Sequence, residues 1–379
     1  MTSDDYLTDP ATVRVLAADG TVNPSPAAER YLPLIDALTQ DEIEQFYRDM
    51  VVIRAFDQQA TLLQRQGQLA LWTPSLGQEA AQVGSAYAAR PQDHLFPSYR
   101  EHVVCRIRGV DPIGIIKLLR GVDHGGWDPS DPANGNTHLY TLVLGTQMLH
   151  ATGFGMGLTL DGKTGSGDVE RDEAVIVYYG DGASSEGDAH ESMVFAASFQ
   201  SPTVFFLQNN QWAISVPVAT QTRTSFAERA SGYGIPSVRV DGNDVLASYA
   251  VSRLALDDAR AGKGPWAIEA VTYRRGAHTT SDDPTKYRTK DEEEVWAGRD
   301  PVARLRTYLE SRGSSEDFFA DVEHESEEVA ADLRERIVRL EPPAPESMFA
   351  HVYSEPHPLM TAQARWLADY EDSFEGGAA

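Results

Sequence analysis

Cysteine is almost absent: the 379-residue chain holds one, Cys105. A single thiol excludes an intrachain disulfide and suits a reducing compartment. Its neighbours Val103, Val104 and Ile107 are apolar, so Cys105 reads as a buried structural thiol rather than a nucleophile. Positive charge is scarce as well. Against 57 acidic residues stand 32 Lys and Arg, a net charge of −25, which is the wrong sign for a partner with a phosphate backbone. Much of the excess lies near the start of the chain and beyond residue 290, where it solvates the surface. No apolar run approaches the roughly 18 residues of a membrane span. Met1-Thr-Ser-Asp-Asp5 carries neither the basic nor the apolar stretch of a secretory signal. Together these absences predict a cytoplasmic protein that engages neither nucleic acid nor membrane.

What is present is an ordinary apolar fraction, 41%, and a length sufficient for one large α/β domain with appendages. Residues 1–40 are rich in Asp, Pro and Ala and read as an extended arm. Apolar residues recur at Ile43, Phe46, Met50, Val51 and Leu62, predicting a helix over 41–66. A second helix is expected over 78–89, then a short strand or turn at 95–100. The Gly-, Asp- and Pro-rich stretch 121–137 reads as a long loop of the kind that serves as a lid. A small-residue helix over 145–160 and an exposed linker over 161–172 follow. From there strands and helices alternate: strand 173–179, helix 186–199, strand 204–207, strand 238–240, helix 244–260, strand 266–273. That alternation predicts a doubly wound, mostly parallel sheet with helices on both faces. The expected division is an arm (1–40), an α/β domain (41–290) and a charged helical extension (291–379).

The densest chemistry sits in the middle. Gly180-Asp181-Gly182 ends one expected strand, and Asn209-Asn210 ends the next. A parallel pair places both on the carboxyl edge of the sheet, where open α/β folds bind ligands. Asp181 and Asn210 offer a carboxylate and an amide oxygen, the hard donors Mg²⁺ prefers when phosphate and water complete its octahedron. The flanking glycines let backbone approach a bulky anion, and the amides opening the next helix help to hold it. Gly-Asp-Gly alone is also an ordinary turn; the whole strand–helix–strand unit with Asn-Asn points to a magnesium diphosphate.

These residues, with Ser184–His190, Asn209–Ser215, Arg239–Asp244 and His278–Asp283, resemble the thiamine diphosphate signature. Over about 41–360 the chain is similar to the α subunit of the thiamine-dependent dehydrogenase component of 2-oxo acid dehydrogenase complexes. The branched-chain type is nearest and the pyruvate type next. The resemblance implies a thiamine diphosphate-binding fold with Mg²⁺ held by Asp181, Asn210 and the backbone carbonyl of Trp212. Gly182, Ala183 and Gln208 would line the diphosphate, and Tyr99, Arg100 and Leu144 would complete the cofactor contacts. A guanidinium fork at Arg100 suits phosphate oxygens. His278 falls at the family's catalytic histidine, and an imidazole titrating near neutrality suits proton transfer there. Thr279 stands at a position that carries regulatory phosphate in mammalian relatives, where phosphate would add about two negative charges beside the diphosphate.

Two segments depart from the pattern. Thr146-Gln147 fall where branched-chain relatives help hold potassium. The preceding Thr141–Leu144 replaces a Ser-Ser-Pro-Leu type of sequence, so Leu142 lacks a cofactor-contacting hydroxyl and no potassium site is assigned. His138 is a secondary candidate for the substrate pocket. The resemblance further implies decarboxylation of a 2-oxo acid and acylation of a lipoyl group on a transacylase core. It also implies a separate β subunit that supplies the glutamate for the aminopyrimidine, in an α₂β₂ heterotetramer. Pyruvate or acetoin dehydrogenase α subunit is the alternative enzyme reading. A non-catalytic scaffold on the same fold is the alternative of a different kind, and the joint presence of Asp181, Asn210, Arg100 and His278 argues against it.

Overall fold

The computed structural model describes residues 7–122 and 126–375. Its main sheet is parallel throughout: β1 His94–Phe96, β2 Val175–Gly180, β3 Thr203–Asn209, β4 Ser237–Asp241 and β5 Trp266–Val271, in the order β1-β2-β3-β5-β4. The two central strands are continuous apolar runs because both their faces are covered. Alternation along them feeds two separate cores. Ile176, Tyr178, Val204 and Phe206 join the core on one face, and Val175, Val177, Phe205 and Leu207 join the core on the other.

The first face is covered by α1 Gln40–Arg65, α2 Glu79–Ala88 and α5 Val245–Arg260. Helix α1 starts at a capping box in which Thr39 and Glu42 satisfy each other's backbone amides. Helices α2 and α5 approach so closely that a Cβ on Gly84 would lie 2.6 Å from the carbonyl oxygen of Val245. The second face is covered by α3 Thr146–Leu160 and α4 Gly187–Phe199. The strand register pairs Gly180 with Gln208, so Asp181 and Asn209-Asn210 emerge side by side at the carboxyl edge.

The arm is not a free extension. Val13 pairs in parallel with Val240 at the edge of β4. The amides of Val15 and Leu16 both donate to Asp244 Oδ2 at 2.7 Å, while Asp244 Oδ1 caps α5. In the C-terminal region α6 Pro301–Ser311 is tied to β4 by a buried Arg304–Asp241 pair at 2.8 Å. Helix α7 Glu316–Val338 packs on α1, with Phe319 edge-on to Tyr47. Helix α8 Pro358–Glu375 exposes Trp366, Tyr370 and Phe374. Among the described residues no helix is long and apolar enough to cross a membrane. Residues 123–125 of the expected lid, and residues 1–6 and 376–379, lie outside the described residues.

Candidate active site

The floor of the site is the pair of strand ends. Asp181 is 2% exposed, and burial pushes its carboxyl up to about 6, against the hydrogen bond from Gln221. That bond, from Gln221 Nε2 to Asp181 Oδ2, is 2.6 Å. Asn210 donates from Nδ2 to Gln78 Oε1 at 3.2 Å and accepts at Oδ1 from the Trp212 amide at 3.3 Å. The segment 211–214 folds over this floor with Gln211 and Ile214 in the left-handed region, at φ 74° and 53°, which a β-branched residue such as isoleucine seldom adopts. A Cβ on Gly182 would lie 2.9 Å from that of Ala213, so the segment closes on the turn only because residue 182 has none.

Two guanidinium groups form one wall. Arg100 donates to the Pro74 carbonyl at 2.6 Å and to the His278 carbonyl at 2.9 Å. Arg274, fully buried, donates to the carbonyls of Trp212 and Ile214 and to the Tyr287 hydroxyl. Both spend their hydrogen bonds on neutral groups, so their charge is available to an anion. The Trp212 carbonyl keeps a second lone pair for a further partner.

His278 lies between these cations, its Nδ1 3.3 Å from Arg100 Nη2 and 3.3 Å from Arg274 Nη1. A guanidinium only donates, so Nδ1 accepts and the ring proton sits on Nε2. Burial, then Arg100 and Arg274, push the imidazole down to about 3. Against the expectation of an imidazole titrating near neutrality, burial first and then two like charges oppose its protonation and favour the neutral ring. Its own amide is held by Asp282 Oδ2 at 2.8 Å, and its ring meets Tyr99 edge-on.

One cavity of about 230 Å³ brings together Tyr99, Arg100, Leu144, Asp181, Gly182, Ala183, Gln208, Asn210, Trp212 and His278. It also takes in Gln78, Glu101 and Arg274, which the sequence did not single out. Glu101 follows Arg100 directly, and Arg274 opens the loop that carries His278; adjacency to a motif residue was the available signal. Several buried polar atoms near this wall have no hydrogen-bond partner, among them Gln78 Nε2, Gln82 Oε1, Glu101 Oε2 and Arg274 Nε. Unsatisfied buried atoms in such density suit a polar ligand.

Other candidates lie elsewhere. His138 is outside the lining of this cavity and stacks on Phe96 at 3.8 Å. Gln147 donates to the Tyr178 carbonyl at 2.9 Å. The described residues of the 126–137 loop do not line the cavity either; Trp127 closes that loop on itself through the Thr137 carbonyl. Cys105 is fully buried, and burial pushes its thiol up.

The sequence profile of a family described as the dehydrogenase E1 component matches residues 47–341. The chain is 43% identical over 357 residues to 3-methyl-2-oxobutanoate dehydrogenase subunit alpha of Mycobacterium tuberculosis, covering 94% of this chain and 93% of the relative. It is 37% identical over 338 residues to pyruvate dehydrogenase E1 component subunit alpha of Acholeplasma laidlawii, covering 86% and 92% respectively. The Staphylococcus aureus protein of the same description is 38% identical over 282 residues, covering 74% and 73%.

Proposed function

The chain belongs to the dehydrogenase E1 component family, and from that premise we propose that it is the α subunit of a branched-chain 2-oxo acid dehydrogenase. The reaction is oxidative decarboxylation of a 2-oxo acid with acylation of a lipoyl group on a transacylase core. The observation that carries this reading is the convergence of Asp181, Asn210, Arg100, Arg274 and His278 on one cavity at the carboxyl edge of a parallel sheet.

When bound, thiamine diphosphate supplies the electron sink for loss of carbon dioxide. The residues present fit its anionic end: two guanidinium groups with no hydrogen-bonded carboxylate among the described residues, a glycine turn with no side chain to bar close approach, and two buried donors without a partner, Gln78 Nε2 and Arg274 Nε. The Asp181 carboxylate and the Asn210 amide oxygen would hold Mg²⁺, with the Trp212 carbonyl as a third donor. Arg100 would take the diphosphate oxygens, beside the Gly182 and Ala183 backbone and Gln208. Leu144 and Tyr99 would bound the pocket on its less polar side. His278 would present Nε2–H to the reacting group, fixed in that tautomer by the two arginines.

A volume of about 230 Å³ is below the usual range for a site that encloses a whole cofactor, roughly 300–1,000 Å³. This supports a second chain at the other end, a β subunit in an α₂β₂ heterotetramer, and that subunit would contribute the acid for the aminopyrimidine. Co-expression with a β subunit and a dye-coupled assay on 3-methyl-2-oxobutanoate and pyruvate tests the reading. Turnover that favours the branched acid supports it. Preference for pyruvate would move the assignment to the pyruvate type, which the relatives of that description favour. Substantial turnover by the α chain alone would remove the two-subunit site.

A further inference from the structure

Two carboxyl groups line the cavity, Asp181 and Glu101, and only the first has a task in the function proposed above. Glu101 is 2% exposed. Its Oε1 accepts from Gln208 Nε2 at 2.5 Å, and its Oε2 meets no hydrogen-bond partner. Gln208 Oε1 in turn accepts from Gln82 Nε2 at 3.2 Å, and the same Gln82 nitrogen donates to the Arg100 carbonyl at 3.1 Å. Both ends of the Gln208 amide are therefore tied. Its orientation is fixed, and one N–H is left over.

Among the described residues no cation is bonded to Glu101. The Arg100 side chain turns to Pro74 and His278, so it acts on Glu101 only through the field. The other titratable groups that feel the Glu101 charge are Cys105, Tyr140 and Tyr178, all held neutral by burial. Burial pushes Glu101 up to about 7, against hydrogen bonds and Arg100. An ionised Glu101 would leave a buried charge unpaired beside an arriving anion, which is costly on both counts.

Resting on the thiamine diphosphate reading, we propose that Glu101 is a positioning residue for the diphosphate: it takes up a proton from solvent as the anion binds, and as the neutral acid it holds the Gln208 amide with its free N–H toward the cavity. The geometry explains why a carboxyl with an unpartnered oxygen stands where an anion is to be received. It also gives Gln82, remote from the ligand, the task of fixing Gln208 from the other side.

The test is calorimetric titration of the α–β complex with thiamine diphosphate and Mg²⁺, in buffers of different ionisation enthalpy, from pH 6 to pH 8. Heat differences between buffers count the protons taken up. With a group near 7 that binds only when neutral, the wild type gains about tenfold in affinity from pH 8 to pH 6 relative to Glu101→Gln. That variant keeps the acceptor and the shape but takes up no proton at this position. Protonation of Asp181 or His278 contributes equally to both proteins and cancels in the comparison. Glu101→Leu removes the acceptor and binds about tenfold more weakly than Glu101→Gln at every pH. Equal proton uptake by wild type and Glu101→Gln, or equal binding by Glu101→Leu and Glu101→Gln, overturns the inference and leaves the function standing. A wild-type complex that takes up no cofactor at all overturns the function and this inference with it.

Discussion

The two faces of the sheet are finished to different degrees. On the first, α5 buries 11 of its 16 residues, and even its neighbour α2 is almost wholly enclosed. On the second, α4 buries 4 of 13. Phe195 and Phe199 stack on each other in the open, and Leu160 at the end of α3 is 86% exposed. The stretch Leu142–Leu144 at the cavity rim is exposed as well. Exposed apolar side chains in this number mark an interaction surface. The helix that carries it, α4, begins directly after the turn holding Asp181. The incomplete pocket and the incomplete face therefore adjoin, and in the proposed heterotetramer one partner subunit would cover both.

That contrast can be broken at several points. The largest effect is expected at the floor: Asp181→Ala in the assembled complex should lower turnover at least about 100-fold, with the assembled size unchanged by gel filtration. If turnover stays within a few-fold, the metal-holding role fails. Next is Gly84→Val on the finished face, where the added Cβ meets the backbone of α5 at 2.6–2.7 Å. Overpacking there costs about 1–3 kcal/mol, so the isolated α chain should melt about 1–4 °C lower. An unchanged melting temperature would mean that the α2–α5 contact yields easily.

On the unfinished face the same measurements should reverse. Phe195→Glu should leave the α chain's melting temperature within about 1 °C while weakening association with the β subunit by tenfold or more, as loss of an aromatic anchor does. Association unaffected by Phe195→Glu would show that α4 faces water in the complex. The smallest effect is at His278. The cofactor-free complex should keep its imidazole neutral down to about pH 3, because burial disfavours the charged ring and Arg100 and Arg274 oppose the proton. A seated diphosphate offsets those charges, so the folded pKa should rise by at least about one unit. Histidine-selective NMR titration with and without cofactor reads this directly. No movement would mean that the anion sits away from the two arginines.

The central unit was legible because it is local. β2 and β3 are unbroken apolar runs, the intervening helix follows at once, and Gly-Asp-Gly and Asn-Asn occupy the strand ends. The helix expected over 41–66 was equally plain from its periodicity, and it runs from Gln40 to Arg65. What escaped was contact across long separations. Nothing around Val13 announces that it will pair with Val240. Glu101 shows no special pattern, and its character comes from Gln208 more than 100 residues away. The loop around His278 suggested an ordinary imidazole; only folding sets Arg100 against it, 178 residues distant. Residue type gave the candidate, and tertiary placement gave its charge state.

The stitch between the arm and Asp244 bears on how the molecule is made. Val15 and its acceptor are separated by 229 positions, so the arm waits for about 60% of the 379-residue length to be synthesised before its partner exists. At about 5–20 residues per second that delay lasts tens of seconds at the slow end, with the edge of β4 also unmade. Contacts of such separation are formed late, after the loop between them has closed around nearer ones. Asp244 joins the arm and the start of α5 through one carboxylate. Its neutral substitute should thus show its main defect in newborn chains, as aggregation during synthesis, more than in protein already folded.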